Sequence, residues 1–386
     1  MKKNIVILGS TGSIGKSTIK IIEKDKKNFK IKLLSTNKNV LELIKQAKKF
    51  KVKNLIINDL KKFNQAKKKF KNLKMNFYNS FSVLDKLFKK KEIYYSMISL
   101  VGIDGLKPSM QMIKSSKNIA IVNKESLICG WDLLKKSLKK YKTNFIPIDS
   151  EHFSIFSLID NINAVDKIYI TASGGPFLKY SKSMLSNVTL ADSLNHPNWS
   201  MGKKISIDSS TMMNKVFEVI EAKNIFNISY NRISVLTHPK SYVHSIVKFN
   251  NGLTKILIHE PDMKIPIHNS LYNFDKKNIK SKKLNIEILN NLQFKKIDNK
   301  KFPLIKILDI LPNHNSLYET ALVSVNDYFV SKFLNKRITY KRLIQLINKY
   351  AHYKDFLKFR KIRVKNVDDI YKIRNYVSLK LDTLGI

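Results

Sequence analysis

The 386-residue chain reads as an α/β protein, with an N-terminal doubly wound parallel-sheet domain, a central α+β domain and a small helical C-terminal domain. Three observations predict this. Six short apolar runs alternate with amphipathic stretches before residue 149, hairpin-like strands replace that rhythm after it, and from residue 302 onward helical spacing dominates. At roughly 100–200 residues per domain the length fits two or three domains.

The first runs, residues 4–8, 31–34, 54–57, 97–100, 119–122 and 145–148, are strand candidates. Continuous apolar strands separated by helices indicate a parallel sheet covered on both faces, where ligands sit outside the carboxyl ends of the strands. Residues 1–149 therefore form the expected first domain. Beyond it, strands are predicted at 167–171, 204–207, 233–237 and 243–249, with Asn251-Gly252 turning the last into 253–259. This second domain is taken as 150–272. A polar Lys/Asn-rich passage, 273–301, reads as a linker. Ser316-Leu317-Tyr318-Glu319 matches a capping box, and apolar spacing through Tyr318, Ala321, Leu322, Val325 and Phe329 begins a helical domain over 302–386.

Composition narrows the partners. The formal charge of +43 invites nucleic-acid binding, but lysine supplies 66 of the 72 basic residues and arginine only six. Arginine is the side chain suited to phosphate and base recognition, so no nucleic-acid partner is predicted. Hydrophobic residues make 43% of the chain, yet no apolar run approaches a membrane span. The apolar stretch after Met1-Lys2-Lys3-Asn4 ends at Gly9, too short for a signal peptide, so a cytoplasmic protein is expected. One cysteine, Cys129, makes no intrachain disulfide; any metal would be held by oxygens.

The first strand runs into Gly9-Ser10-Thr11-Gly12-Ser13-Ile14-Gly15 and then a helical pattern. Such a turn presents backbone N–H groups and a helix dipole to a pyrophosphate, in a Rossmann-type arrangement. A triphosphatase loop ending in Gly15-Lys16-Ser17 is excluded because its first glycine would fall on Ser10. The corner after the second strand, Ser35-Thr36-Asn37-Lys38-Asn39, has no carboxylate for a ribose hydroxyl and carries a lysine, which favours NADP over NAD.

Asp149-Ser150-Glu151-His152 sets two acids at i and i+2, and the helix expected to begin near Ser210 carries Asn214, Lys215 and Glu218. Three carboxylates would make a hard-oxygen site for Mg²⁺ or Mn²⁺; surface acids with lysine partners are the other reading. Ser209-Ser210-Thr211 with Asn214 and Lys215, plus Ser173-Gly174-Gly175-Pro176, collects donors suited to an anion, although helix caps and turns use the same residues. His196-Pro197-Asn198-Trp199-Ser200-Met201-Gly202 reads either as a loop that closes over a ligand or as an anchor docking Trp199 into the core.

Taken together, G-S-T-G-S-I-G at 9–15, N-K-E-S at 123–126, D-S-E-H at 149–152, S-G-G-P-F at 173–177, H-P-N-W-S-M-G at 196–202 and D-S-S-T-M-M-N-K at 208–215 closely resemble the 1-deoxy-D-xylulose 5-phosphate reductoisomerase family. His-Pro at 238–239 and Glu-Pro-Asp-Met at 260–263 extend the match over most of residues 1–270. The resemblance implies conversion of 1-deoxy-D-xylulose 5-phosphate to 2-C-methyl-D-erythritol 4-phosphate in the non-mevalonate isoprenoid pathway, by a homodimer using NADPH and Mg²⁺ or Mn²⁺. A dehydrogenase acting on another phosphorylated substrate is the alternative.

It further implies that Asp149, Glu151 and Glu218 bind the metal and that Lys124, with those acids and His196, belongs to the catalytic set. Ser150, Lys124 and the acids Glu151 and Glu218 would face the sugar. Ser173, Ser209, Asn214 and Lys215, with His196 beside them, would hold the phosphate under a flap carrying Trp199 and Met201. Thr11, Gly12, Ser13, Ile14, Asn37, Lys38, Asn39, Asn123, Glu125 and Gly202 correspond to positions lining NADPH. Asn37 stands where a glycine is common, and residues 323–327 match the family only loosely.

Overall fold

A computed structural model describes residues 2–181, 183–199, 201–274 and 277–385. The chain divides into two compact units, one comprising 1–126, 133–149 and 263–279, the other 127–132, 150–262 and 280–386.

The first unit is built on a seven-stranded sheet: β1 (Lys3–Leu8), β2 (Phe29–Thr36), β3 (Asn54–Ile57), β4 (Asn76–Tyr78), β5 (Ile93–Ile98), β6 (Ser116–Ile121) and β7 (Asn144–Phe145). Every pair is parallel, in the order β4-β3-β2-β1-β5-β6-β7. Order reverses between β1 and β5, which opens a crevice at their carboxyl ends. Ile5, Ile7, Leu34, Leu55, Ile57 and Met97 are fully or almost fully buried, as strands covered on both faces require. Two expectations change. β4 is an additional strand, and β7 stops at Phe145 because Pro147 has no N–H to continue the ladder, although Ile146 still donates to Ile119 O at 2.9 Å. The helix Lys264–Leu271 joins this unit, inserting Ile267 and Leu271 into its core. Tyr272 donates to Asp25 at 2.7 Å, and Tyr95 pairs with Ser270 at 2.8 Å.

The second unit contains a mixed sheet of β8 (Val165–Ala172), β9 (Ile233–Thr237), β10 (Val243–Phe249), β11 (Thr254–Ile258) and β12 (Lys295–Lys296), ordered β11-β10-β8-β9-β12. β8 and β9 are parallel and the other pairs antiparallel. Gly252, at φ +85°, makes the β10–β11 hairpin at the Asn-Gly pair. Residues 204–207 are not a strand but part of a helix, Lys203–Ser210. Their Ile-Ser-Ile alternation mimics strand spacing, but tertiary partners decide the outcome. Asp208, buried by the helix, accepts from Asn326 at 2.8 Å, and Tyr340 donates to Ser210 O at 2.7 Å. The following helix starts at Met213 rather than near Ser210, after Met212 takes a left-handed φ of 65°.

The polar passage 273–301 also gains structure: a short helix, Ile286–Asn290, and β12, which pairs with β9. Beyond it the helices Leu317–Leu334, Tyr340–Ala351 and Val367–Thr383 are present, the first opened by the expected Ser316–Glu319 capping box. These helices cluster in the same unit as 150–262. No helix among the described residues is long and apolar enough to cross a membrane.

Candidate active site

At the sheet crevice the glycine-rich turn is shaped by steric necessity. Gly9 has φ +83°, and a Cβ there would lie 2.3 Å from Ser99 O; one on Gly15 would lie 2.4 Å from Gly9 O. Ser35 holds the turn from the neighbouring strand, accepting from Gly9 N at 2.8 Å through its hydroxyl and from Ser10 N at 2.9 Å through its carbonyl. Thr11 and Thr36 share a hydroxyl hydrogen bond of 2.7 Å. Gly12 caps the helix Ser13–Glu23 without a side-chain hydrogen bond, so no side chain covers the first-turn N–H groups. Gly12 and Ser13 are exposed, Thr11 and Ile14 half-buried.

The adjoining corner is arranged as follows. Asn37 O accepts from Asp59 N at 3.3 Å, and Asn39 caps the helix Val40–Phe50 by accepting from Glu42 N at 3.3 Å. Lys38 is exposed, 3.9 Å from Asp59. After β6, the Asn123 amide donates to Leu100 O, Gly102 O and Glu125, and its oxygen accepts from Ser126 N at 2.9 Å. That side chain is committed to fixing the 100–102 loop. Lys124 pairs with Asp149. Gly202 lies in the second unit, capping the Lys203–Ser210 helix, with open space where a Cβ would stand.

The acids converge. Glu151, in the helix Ser150–Leu158, and Glu218, in Met213–Phe226, both bind the Lys215 ammonium, Glu151 at 2.9 Å. Thr171 O accepts from the same ammonium at 2.6 Å. Burial pushes the Lys215 pKa down, but Glu151 and Glu218 outweigh it and hold the group charged. Ser150 donates to Glu151 at 2.7 Å, and Asn214 donates to Glu218 across one helical turn. Asp149 is the last residue before the boundary, two positions from Glu151. His152 reaches Glu218 O at 2.9 Å, tying the two helices together.

Carboxylate oxygens such as those of Glu151 and Glu218 suit a hard divalent ion. Lys215, read from sequence as a phosphate contact, donates here to the acids and to Thr171 O.

Ser173 and His196 meet on two loops, and Ser209 stands at the end of a helix rather than at a helix start. Ser209 closes the Lys203–Ser210 helix, and its carbonyl lies 3.0 Å from where a Cβ on Gly175 would stand. His196 Nδ1 accepts backbone N–H groups from Asn198 at 3.1 Å and Trp199 at 3.0 Å. This places the ring proton on Nε2, which donates to Ser173 Oγ at 3.1 Å. Gly175 N also donates to Ser173 Oγ at 3.1 Å, so the Ser173 hydrogen is free to point at an anion. Burial, with Lys215 nearby, lowers the His196 pKa to about 4, and the ring is neutral. Asn198 clamps the segment to Pro239 O at 2.7 Å and Ser241 at 2.8 Å. Ser200 lies outside the described residues.

Three family models match in chain order. Residues 5–130 match 1-deoxy-D-xylulose 5-phosphate reductoisomerase, residues 145–226 its C-terminal domain, and residues 258–378 the DXP reductoisomerase C-terminal domain. A 1-deoxy-D-xylulose 5-phosphate reductoisomerase of Pelagibacter ubique is 55% identical over 388 residues, covering 100% of both chains. The chain belongs to the 1-deoxy-D-xylulose 5-phosphate reductoisomerase family. A Clostridium novyi reductoisomerase is 37% identical over 98% of this chain and 99% of its own. Among solved structures, the Zymomonas mobilis reductoisomerase in complex with NADPH superposes with a TM-score of 0.87 at 29% identity, covering 100% and 99% of the two chains. A reductoisomerase in complex with NADPH, fosmidomycin and magnesium gives 0.89 at 30%, covering 99% of each.

Within this reductoisomerase several site residues escaped sequence reasoning. Ser35 and Ser99 shape the phosphate turn, yet single serines at strand ends carry little signal. His152 and Glu221 adjoin the acids; only the position of His152 beside Glu151 hints at it.

Proposed function

We infer that this protein converts 1-deoxy-D-xylulose 5-phosphate to 2-C-methyl-D-erythritol 4-phosphate, using NADPH and Mg²⁺ or Mn²⁺, as a step of the non-mevalonate isoprenoid pathway. The pairing of Glu151 and Glu218 on one ammonium, with Asp149 two positions before Glu151 in the chain, in a member of this family carries the reading. When bound, the cation supplies Lewis-acid polarisation of the substrate ketone and NADPH supplies hydride.

The chain's own residues do the rest. Asp149, Glu151 and Glu218 hold the ion and Ser150 braces Glu151. Lys124 hydrogen-bonds a sugar oxygen. Ser173, Ser209 and Asn214 would offer neutral donors to the phosphate, and Lys215 would add charge. Since the phosphate takes no part in bond making, its binding energy positions the reacting carbons. Trp199 and Met201 cover the substrate and exclude water. The 9–15 turn, Asn37–Asn39, Asn123, Glu125 and Gly202 receive NADPH, with Lys38 facing the 2′-phosphate.

In this reading the first unit receives NADPH, and the second carries Glu151, Glu218 and the phosphate donors together with the C-terminal helices. A homodimer is part of the reading through the family resemblance. A cytoplasmic setting agrees with a single, buried cysteine that asks for no oxidising compartment.

NADPH oxidation with 1-deoxy-D-xylulose 5-phosphate, with and without divalent ion, tests this. Wild type should turn over only with the ion, and Glu218→Gln should lose on the order of a thousandfold, as several kcal/mol of charge stabilisation would. Turnover by the ion-free protein and by the variant at the wild-type rate would overturn it and favour a plain NADP dehydrogenase.

A further inference from the structure

Strand β10 contains a bulge. Val243 pairs with Ile258 and Ser245 with Leu257, so His244 is an extra residue between two paired positions. Bulges redirect a side chain, and this one aims the His244 ring at the imidazole of His259. The two centroids are 4.0 Å apart with planes inclined by 25°. His259 Nδ1 is fixed to Glu260 O at 2.6 Å, and the His244 ring is bonded to the backbone of His259. His259 N–H in turn donates to Tyr242 O at 3.1 Å. Both rings are thereby held to one short backbone segment. Burial first, and the neighbouring His259 second, drive His244 to a pKa of about 3, so its ring is uncharged, and burial lowers the His259 pKa as well.

Further rings flank the pair. Trp199 lies 6.1 Å from His244 at 59°, and Phe153 lies 6.1 Å from His259 at 72°. Phe153 sits on the same helix as Glu151. A row of four rings therefore connects the 196–202 segment to the helix bearing a carboxylate of the candidate site, all within the second unit. His259 occupies the middle of that row.

We propose that His259 is a positioning residue, setting through His244 where Trp199 rests and thereby how tightly the 196–202 segment holds the phosphorylated substrate. This rests on the reading that the segment covers that substrate. The full chain with His259→Phe, which keeps a ring face, and His259→Leu, which keeps bulk alone, separates stacking from packing. With NADPH, magnesium and 1-deoxy-D-xylulose 5-phosphate, His259→Leu should raise KM about three- to tenfold, the value of an aromatic pair, with kcat little changed. His259→Phe should restore the wild-type KM.

Acrylamide quenching of tryptophan fluorescence supplies a readout independent of turnover. The protein has two tryptophans and Trp131 is buried, so quenching reports chiefly on Trp199. It should increase in His259→Leu and not in His259→Phe. Unchanged KM and quenching in His259→Leu, a loss confined to kcat, or a His259→Phe variant behaving like His259→Leu would each overturn the proposal. Failure of wild type to turn over this substrate would instead sink the functional reading, while the quenching comparison would still decide the role of His259.

Discussion

Two turns, one in each unit, place chemistry at the start of a helix, and they are built in opposite ways. In the 9–15 turn the backbone geometry follows from the residues themselves: glycine stands at the positive φ and at the close approach of Gly15 to Gly9. In the 208–215 turn the left-handed position is Met212, a buried residue with φ 65°, which pays a steric cost that glycine avoids. Surrounding structure imposes it. Asn326 binds Asp208, Lys204 bridges Asp208 and Asp327, and Tyr340 donates to Ser210 O. A locally encoded turn tolerates change around it and fails when its own glycines change; a turn held from outside should fail when distant residues change.

The sharpest way to break this contrast is Gly15→Ala. Its methyl would meet Gly9 O at 2.4 Å, so overpacking of about 1–3 kcal/mol is expected. NADPH affinity, followed by fluorescence titration, should fall by at least about tenfold, roughly 1.4 kcal/mol of binding. Unaltered affinity would show that the turn does not receive the cofactor.

Tyr340→Phe makes the matching test in the second unit, far from 208–215 in sequence. It leaves the buried Ser210 carbonyl without its hydroxyl donor, and urea unfolding should reveal a loss of about 1–3 kcal/mol. KM for the sugar phosphate should rise while NADPH affinity stays the same. Equal effects on both ligands would erase the distinction between the turns.

Stability should also change with pH. Glu319 caps the helix that carries Asn326, and burial raises its pKa from 4.5 to about 7 despite hydrogen bonds from Ser316 that oppose the shift. The folded chain therefore holds a proton that the unfolded chain releases. The resulting stability is fully present below pH 4.5 and is lost as pH rises through about 7. Glu319→Gln should remove this component, so the stability of wild type relative to the variant should fall across that interval in parallel denaturation curves.

Lys38→Ala should have the least effect. The side chain is 69% exposed and its pairing with Asp59 spans 3.9 Å. A contact with a 2′-phosphate in such a setting should change the KM for NADPH by only about two- to fivefold, in keeping with exposed ion pairs. No change in the NADPH to NADH preference would remove Lys38 from the cofactor site.

The same contrast explains what was legible in the sequence. The parallel sheet, the glycine turn and the Asn-Gly hairpin are encoded by neighbouring residues, so Ile5, Ile7, Gly9 and Gly252 announce them. β4 escaped because its three residues include an exposed Asn76 and half-buried Phe77 and Tyr78. Residues 204–207 were misread because the helix there is selected by Asn326 and Tyr340, more than a hundred positions away. At the candidate site the identities of Asp149, Glu151 and Glu218 were visible, and the family motifs grouped them. The position of Lys215 was not, since a flexible ammonium moves to whichever oxygens the fold assembles.

Placement of that ammonium has its own consequence. Carboxylates crowded together repel one another, and a chain that relied on dissolved magnesium to quiet them would fold only where the ion was plentiful. Here the counter-charge is covalently attached three residues before Glu218, so it arrives with the acids during folding, whatever the salt outside. Charge balance among these buried groups is thus supplied by the polypeptide itself.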